Sequence, residues 1–290
     1  MTANSQMNTQ TTKTNQFLPI IVAVVVFIVL SLVFYGQISL LNQLPFVSEK
    51  IFTQIKIFDV LVGLTIYLKT SIDFALLIGN LMHKYPGTKN RYAIEIGTAA
   101  GNALGTMLVL LVWVFFKEVK ILLALMVIFA SLVLFELADS SIDHLEEQKS
   151  DLNPTVRKCF GILKRFLDPI LKVLGPVLSK VMPDLKPKIG KSMSFGGLLL
   201  ASFTVPFILG LDDFAGYVTL FSVVNVFGFG IGVFLGHMIL NILLFVNPDR
   251  TIKIIKNPII ALLGGTAFII LALFGLFEGA KIILELVHVI

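Results

Sequence analysis

Long apolar runs alternate with short polar segments along almost the whole chain. A helix needs about twenty consecutive apolar residues to cross roughly 30 Å of hydrocarbon. Seven runs reach that length, and the last is long enough to be tilted or broken. The pattern therefore predicts an all-α membrane protein with seven transmembrane helices, at residues 17–41, 57–82, 91–116, 121–142, 195–220, 225–246 and 258–287.

Composition excludes a soluble domain. The 290 residues are 56% hydrophobic and 14% charged, whereas soluble chains carry about 25% charged residues. The net charge of +5 is better explained by membrane orientation than by nucleic-acid binding, because Lys and Arg set the topology of hydrophobic chains. The single cysteine, Cys159, excludes an intramolecular disulfide and a multi-cysteine metal site.

The distribution of basic residues predicts the orientation in a cell (inner) membrane. If the polar, disordered tail at 1–16 is cytoplasmic, seventeen Lys and Arg residues fall on the inside and four on the outside. This asymmetry follows the positive-inside rule. The N-terminus is therefore predicted in the cytoplasm and the C-terminus outside.

The connection at 143–193 is the one sizeable extramembrane segment that the sequence predicts. Apolar pairs such as Ile162-Leu163 and Phe166-Leu167 alternate there with Lys and Arg at helical spacing. Such a segment is expected to lie along the anionic inner surface of the membrane. Pro169 and Pro176 are expected to divide it into short pieces. A regulatory or partner-binding arm is the alternative.

The two halves of the chain share short motifs in the same order. Asp73-Phe74-Ala75 recurs as Asp213-Phe214-Ala215, at an offset of 140 residues. Two further motifs recur at offsets of 131 and 142 residues: Gly97, Gly101 and Leu104 to Met107 as Gly228, Gly232 and Leu235 to Met238, and Leu134 to Ala138 as Leu276 to Ala280. Three ordered matches indicate an internal repeat.

Each half is predicted to contain an odd number of helices, and this number fixes the orientation of the second copy in the membrane. Three helices per half make the second copy enter the membrane from the opposite side, as in many secondary transporters. The predicted layout is an accessory helix at 17–41, a first repeat at 57–142 and a second repeat at 194–290. Two such halves can open a midplane site to each side in turn.

The duplicated motifs resemble the LysE superfamily, and within it the cadmium-resistance (CadD-like) cation transporters. The resemblance lies in an acidic first helix of each half, with Thr-Ser-Ile-Asp ending at Asp73 and Gly-Leu-Asp-Asp ending at Asp213, followed by a glycine-rich helix. It covers residue 56 to the C-terminus. It implies transport of divalent cations or of amino acids. The chain differs in its extra first helix and long basic connection.

Charged residues inside the predicted spans are the candidate site. Buried charges cost roughly 3 kcal/mol each on insertion scales and usually have a function. Asp73 and Asp213 are related by the repeat, so both are expected to face one central cavity, with Asp212 adjacent. Carboxylates with backbone carbonyls can bind a dehydrated divalent cation. A structural pairing inside the bundle is the alternative.

Other polar residues of the spans are candidates for substrate contact or a proton path. Lys69 lies one turn before Asp73 and can form an internal salt bridge or exchange protons. His237 can be a ligand, a proton carrier or a hydrogen-bonded packing residue. The spaced glycines predict close helix packing rather than a nucleotide loop. The full set is Lys69, Glu95, Asn102, Glu136, His237, Asn241 and Glu278.

These features favour a secondary transporter for a divalent metal cation, with the lipid bilayer as its other partner. Carboxylates without paired thiols suit hard or borderline ions. The alternative is an exporter of an amino acid or similar solute, with Lys69 and Lys281 pairing with its carboxylate. No enzyme motif and no cofactor motif is expected. A homo-oligomer is left open.

Overall fold

The computed structural model describes residues 18–147, 152–181, 193–209, 214–221 and 224–289. Helices joined by turns and loops make up these ranges, and all of their regular secondary structure is helical. The disordered tail predicted at 1–16 lies outside them. In chain order the described helices are α1 (Leu18–Leu41), α2 (Ile57–Thr70), α3 (Ile72–Lys84), α4 (Thr88–Lys117), α5 (Lys120–Glu147), α6 (Pro154–Val181), α7 (Phe195–Leu209), α8 (Phe214–Phe221), α9 (Val226–Val246), α10 (Pro248–Ile255) and α11 (Pro258–Val289).

Five of these helices are long and apolar enough to cross a membrane. They are α1, α4, α5, α9 and α11, and they coincide with five of the runs predicted from the sequence. Each has mean hydropathy of at least 1.9 over its best window. The described part of the chain is therefore that of an all-α, multi-pass membrane protein.

Of the two other predicted spans, one is divided and the other is only partly described. The run at 57–82 is divided at Ser71 into α2 and α3. The run at 195–220 gives α7 and α8, separated by residues 210–213, which lie outside the described part. Next to the break at Ser71, the Thr70 hydroxyl donates to the carbonyls of Ile66 and Tyr67, each 3.2 Å away. Such back-bonding competes with the helical ladder.

The helices of the first half pack against those of the second half in three pairs. α2 packs against α9, α4 against α7, and α5 against α11. α1 lies against α9 and α4. Neighbours in space are therefore distant in sequence, and the two halves are interlocked.

Glycines bring the paired helices into backbone contact. Gly101 of α4 faces the carbonyl oxygen of Phe203 in α7, and Gly232 of α9 faces that of Val60 in α2. A Cβ atom at either position would overlap these backbone atoms. The close packing predicted from the glycine spacing is confirmed.

The central connection contains one long helix. Pro169 and Pro176 lie inside α6, so the expectation that they divide the segment is wrong. Both proline side chains are exposed. The carbonyls they leave unbonded four residues earlier can therefore bind water, which offsets the loss of the helical hydrogen bonds.

α6 docks on the bundle through an apolar face and one lysine. Phe160 and Leu167 are fully buried where α6 meets α5 and α11. Lys164 Nζ lies 2.8 Å from Oδ1 of both Asp139 and Asp143 on α5. Burial lowers the pKa of Lys164, but these two carboxylates outweigh it and hold the pKa above its ordinary value. The amphipathic character is confirmed, whereas contact with the inner membrane surface stays a prediction.

The segment between α1 and α2 is tied to the turn between α4 and α5. The Ser48 hydroxyl donates to Glu118 Oε2 at 2.7 Å, and Lys117 Nζ donates to the Glu49 carbonyl at 2.7 Å. The bond from Ser48, aided by Lys117, lowers the pKa of Glu118. This end of the bundle is therefore cross-linked by charge-assisted hydrogen bonds.

The glycine contacts predict a strong asymmetry between two alanine substitutions. Gly101→Ala places a methyl group against the Phe203 carbonyl, and overpacking of this kind costs about 1–3 kcal/mol. Gly36→Ala in α1 meets no atom within 4 Å and is expected to be neutral or slightly stabilising. Thermal unfolding of the two purified variants in detergent checks this, and equal melting temperatures would contradict the packing.

Candidate functional site

Buried polar side chains gather where α2, α4 and α9 meet. His237 and Asn241 of α9 are 0% exposed, and Glu95 of α4 is 1% exposed. Burial of a polar group without a hydrogen bond costs several kcal/mol in an apolar medium. The partners of each group therefore decide what the cluster can do.

Both ring nitrogens of His237 face a partner. Tyr67 Oη of α2 lies 2.6 Å from Nδ1, and Asn241 Nδ2 lies 2.9 Å from Nε2. An amide nitrogen only donates, so Nε2 accepts and the single proton of the neutral ring is on Nδ1. The alternative that His237 is a hydrogen-bonded packing residue is confirmed in this respect, and its role as a ligand or proton carrier stays a prediction.

Asn241 extends this network from α9 to α4. Its Nδ2 lies 3.1 Å from Thr98 Oγ1 and 3.4 Å from the backbone oxygen of Glu95. Thr98 Oγ1 itself donates to the same Glu95 oxygen at 3.0 Å. Asn241 Oδ1 is buried and has no hydrogen-bond partner among the described residues. The network thus ends on an unused acceptor.

Glu95 lacks a counter-charge in the described part of the chain. Both of its carboxylate oxygens are buried there without a hydrogen-bond partner. Arg91, one turn earlier, would be the natural ion-pair partner on a helix. Its guanidinium instead donates to the Phe245 carbonyl and lies over the Phe245 ring, 5.8 Å from the centroid. The carboxyl group is therefore enclosed but unpaired.

The predicted metal ligands are only partly described. Asp73 is the second residue of α3, directly after the break at Ser71, but its side chain and that of Lys69 lie outside the described part. Asp212 and Asp213 lie outside the described residues altogether. Within the described residues, no group of three or more His, Cys, Asp or Glu side chains could hold a metal ion. The carboxylate pair stays a prediction.

The remaining candidates occupy different places. Asn102 of α4 is buried and continues the face that carries Glu95 and Thr98. Glu136 is half-buried in α5, and its Oε2 has no partner among the described residues. Glu278 is half-buried in α11. Among the described residues, no hydrogen bond or ion pair joins Glu136 or Glu278 to the cluster around His237.

Two members of the cluster were not among the residues selected from the sequence. The Tyr67 hydroxyl is the hydrogen-bond partner of His237 Nδ1, and Thr98 Oγ1 accepts from Asn241 Nδ2. Thr98 could have been found from its spacing, because Glu95, Thr98 and Asn102 lie three and four residues apart on one helix face. Tyr67 could hardly have been predicted, because a single tyrosine inside an apolar run does not indicate a partner for its hydroxyl.

Comparison with known proteins adds no family to this description. No family model matches the chain, and neither a curated protein nor a solved structure matches it. The class defined by the fold is that of a multi-pass, all-α membrane protein with a buried polar cluster. The resemblance to the LysE superfamily stays a prediction.

The hydrogen bond between Tyr67 and His237 predicts the effect of removing one hydroxyl. Tyr67→Phe leaves Nδ1 of a fully buried imidazole without its partner at this position, which costs about 1–3 kcal/mol. Tyr35→Phe in α1 is the matched control, because its side chain is 48% exposed. Thermal unfolding is the measurement, and a Tyr67→Phe variant as stable as the Tyr35→Phe variant would contradict the assignment.

Proposed function

We propose that this protein is a secondary transporter that moves a divalent metal cation by alternating access. Asp73 and Asp213, with Asp212 adjacent, supply carboxylates from the two halves to a midplane site. The observation that carries the proposal is the helix break at Ser71, two residues before Asp73. Broken helices at membrane depth are found where they line a cavity or a substrate site.

The break has a chemical consequence for a bound ion. At a helix break, the backbone amides that begin the second helix and the carbonyls that end the first have no partner within their own helix. The Ile66 and Tyr67 carbonyls still accept from the Thr70 hydroxyl, and that of Tyr67 also accepts from the Ser71 amide. The carbonyls proposed to bind an ion are those nearer the break. Free carbonyls next to a carboxylate are the ligands that bind hard cations at interrupted transmembrane helices. A continuous helix at 57–82 would offer the carboxylate of Asp73 alone.

The inverted repeat is supported by equivalent contacts in the two halves. Gly97 of α4 faces the Leu199 carbonyl of α7, and a Cβ atom on its counterpart Gly228 of α9 would lie 2.9 Å from the Asp59 Cβ of α2. Leu199 and Asp59 are 140 positions apart, the same offset that relates Asp213 to Asp73. Phe203 and Val60, the contacts of Gly101 and Gly232, are 143 positions apart. Each glycine-rich helix thus meets a similar region on the first helix of the other half.

Alternating access follows from this interlocked pairing. If α2 and α3 together make one span, and α7 and α8 together make one span, the chain crosses the membrane seven times and the halves have opposite orientation. The N-terminus and α6 are then cytoplasmic, in a cell (inner) membrane. Exchange of the two halves between equivalent conformations would expose the midplane site first on one side and then on the other.

A metal panel on the purified, reconstituted protein tests this proposal. Mn²⁺, Ca²⁺, Zn²⁺ and Cd²⁺ are each assayed for transport and for thermal stabilisation. Binding at about 100 times Kd stabilises the folded state by about 2.7 kcal/mol. Asp73→Asn and Asp213→Asn are expected to lose both signals, because each removes a charged ligand.

Asp249→Asn is the matched control, since Asp249 is an exposed residue of α10 and should retain both signals. Absence of transport for every metal by the wild-type protein would overturn the function. Transport that persists in both site variants would overturn the site and leave the class of protein standing.

A further inference from the structure

The carboxyl group of Glu95 has no counter-charge among the described residues, and it is not one of the carboxylates of the proposed metal site. A carboxyl group must be ionised to bind a metal ion, but Glu95 is enclosed with no cation paired to it among the described residues. An ionised carboxylate in an apolar interior costs many kcal/mol unless it is paired. Glu95 is therefore neutral in this conformation, which means that it carries a proton.

Among the described residues, the charged and titratable groups around Glu95 do not pair with it. On α4, Arg91 is engaged with Phe245 and Tyr92 is neutral; on α9, His237 is a neutral ring with both nitrogens engaged. None of the described ion pairs includes Glu95. The other titratable residues on α4 and on the helices packed against it are Tyr35, Asp73, His83, Lys84, Lys89, Lys117, Lys120, Glu136, Asp139, Asp143, His144, Glu146, Glu147 and Tyr217.

The two carboxyl oxygens of Glu95 point to the same charge state. Asn241 Nδ2 lies 3.4 Å from the Glu95 backbone oxygen, so the Asn241 amide borders the helical turn that carries Glu95. Neither this amide nor any other described group donates to the carboxyl oxygens. An ionised carboxylate can only accept hydrogen bonds, whereas the protonated carboxyl group is neutral and can also donate. Protonation therefore avoids a buried charge whose two oxygens both lack a donor.

A proton fits this place better than a metal ion does. Hard cations such as Ca²⁺ and Mg²⁺ take about six or more oxygen ligands. The described cluster offers three unpaired acceptor oxygens, two on Glu95 and one on Asn241. The neighbouring Thr98 hydroxyl and Glu95 carbonyl are already hydrogen-bonded.

We propose that Glu95 is the proton carrier of the transport cycle, separate from the carboxylates that bind the metal. In the closed arrangement the Glu95 O–H bond is intact. When α4 and α9 separate and water enters, that bond breaks, the proton passes to water and the carboxylate remains. Reprotonation from the other side resets the cycle. This inference rests on the proposed transport function.

The hydrogen-bonded cluster provides the link between Glu95 and the helix break. Thr98 and Asn241 hydrogen-bond to the backbone oxygen of Glu95. Asn241 is also hydrogen-bonded to His237, and His237 to Tyr67, which lies four residues before Ser71. A rearrangement at the break therefore changes the packing of α9 against α4. These residues position Glu95, and the proton itself need not pass through them.

The first test detects the proton directly in the full-length, detergent-purified protein. Infrared spectroscopy at neutral pH should show the carbonyl band of a protonated carboxylic acid, and Glu95→Gln should remove it. Glu285→Gln, at an exposed position of α11, should leave it intact. Because glutamine mimics the neutral acid, Glu95→Gln should melt at or above the wild-type temperature. Persistence of the band, or a clear loss of stability, would overturn the proposal.

The second test separates coupling from transport. In proteoliposomes loaded with a pH-sensitive dye, addition of Mn²⁺ or Cd²⁺ should drive proton counterflow through the wild type and the Glu285→Gln control. Glu95→Gln should exchange metal with no proton counterflow. Counterflow that persists in Glu95→Gln would overturn the role of Glu95 and leave the transporter standing. A wild type that moves neither metal would overturn the proposed function and with it the coupling, while the infrared band still decides whether Glu95 holds a proton.

Discussion

Backbone contact between helices of opposite halves is the constraint on which the rest of the structure depends. In a bilayer, apolar side chains gain little by leaving lipid for protein, so helices associate through close packing and hydrogen bonds. Gly97 and Gly101 of α4 and Gly232 of α9 allow this, because each meets a backbone carbonyl of a helix from the other half. Larger residues at these positions would push the halves apart.

The same close packing of helices lets the buried polar side chains form hydrogen bonds with one another. Tyr67 and His237 are 170 residues apart in sequence, yet their side chains are 2.6 Å apart because α2 lies against α9. Asn241 and Thr98 meet in the same way through α9 and α4. Each bond satisfies a group that would otherwise be stranded in hydrocarbon. Both carboxyl oxygens of Glu95 stay unpaired among the described residues, as do Asn241 Oδ1 and Asn102 Nδ2.

Hydrophobic length was enough to predict α1, α4, α5, α9 and α11, since a run that must cross a bilayer leaves few alternatives. It could not predict the break at Ser71, because the apolar run continues on both sides of that residue. At α6 the error was the opposite one, because Pro169 and Pro176 predicted breaks in a segment that forms one helix. Both prolines are exposed, so water can bind the carbonyls that they leave without a helical hydrogen bond. His237 and Asn241 were selected from the sequence and lie in the buried cluster, but their partners depend on packing between halves that a linear pattern does not contain.

Opposite orientation of the two halves is the central claim, and site-directed labelling tests it most directly. In a Cys159→Ser background, single cysteines replace Lys50 before the first half and Ser194 before the second, both at exposed positions. A membrane-impermeant maleimide applied to intact cells should label the cysteine at 50, and should label the one at 194 only after the membrane is permeabilised. Labelling of both positions from the same side would contradict the inverted arrangement.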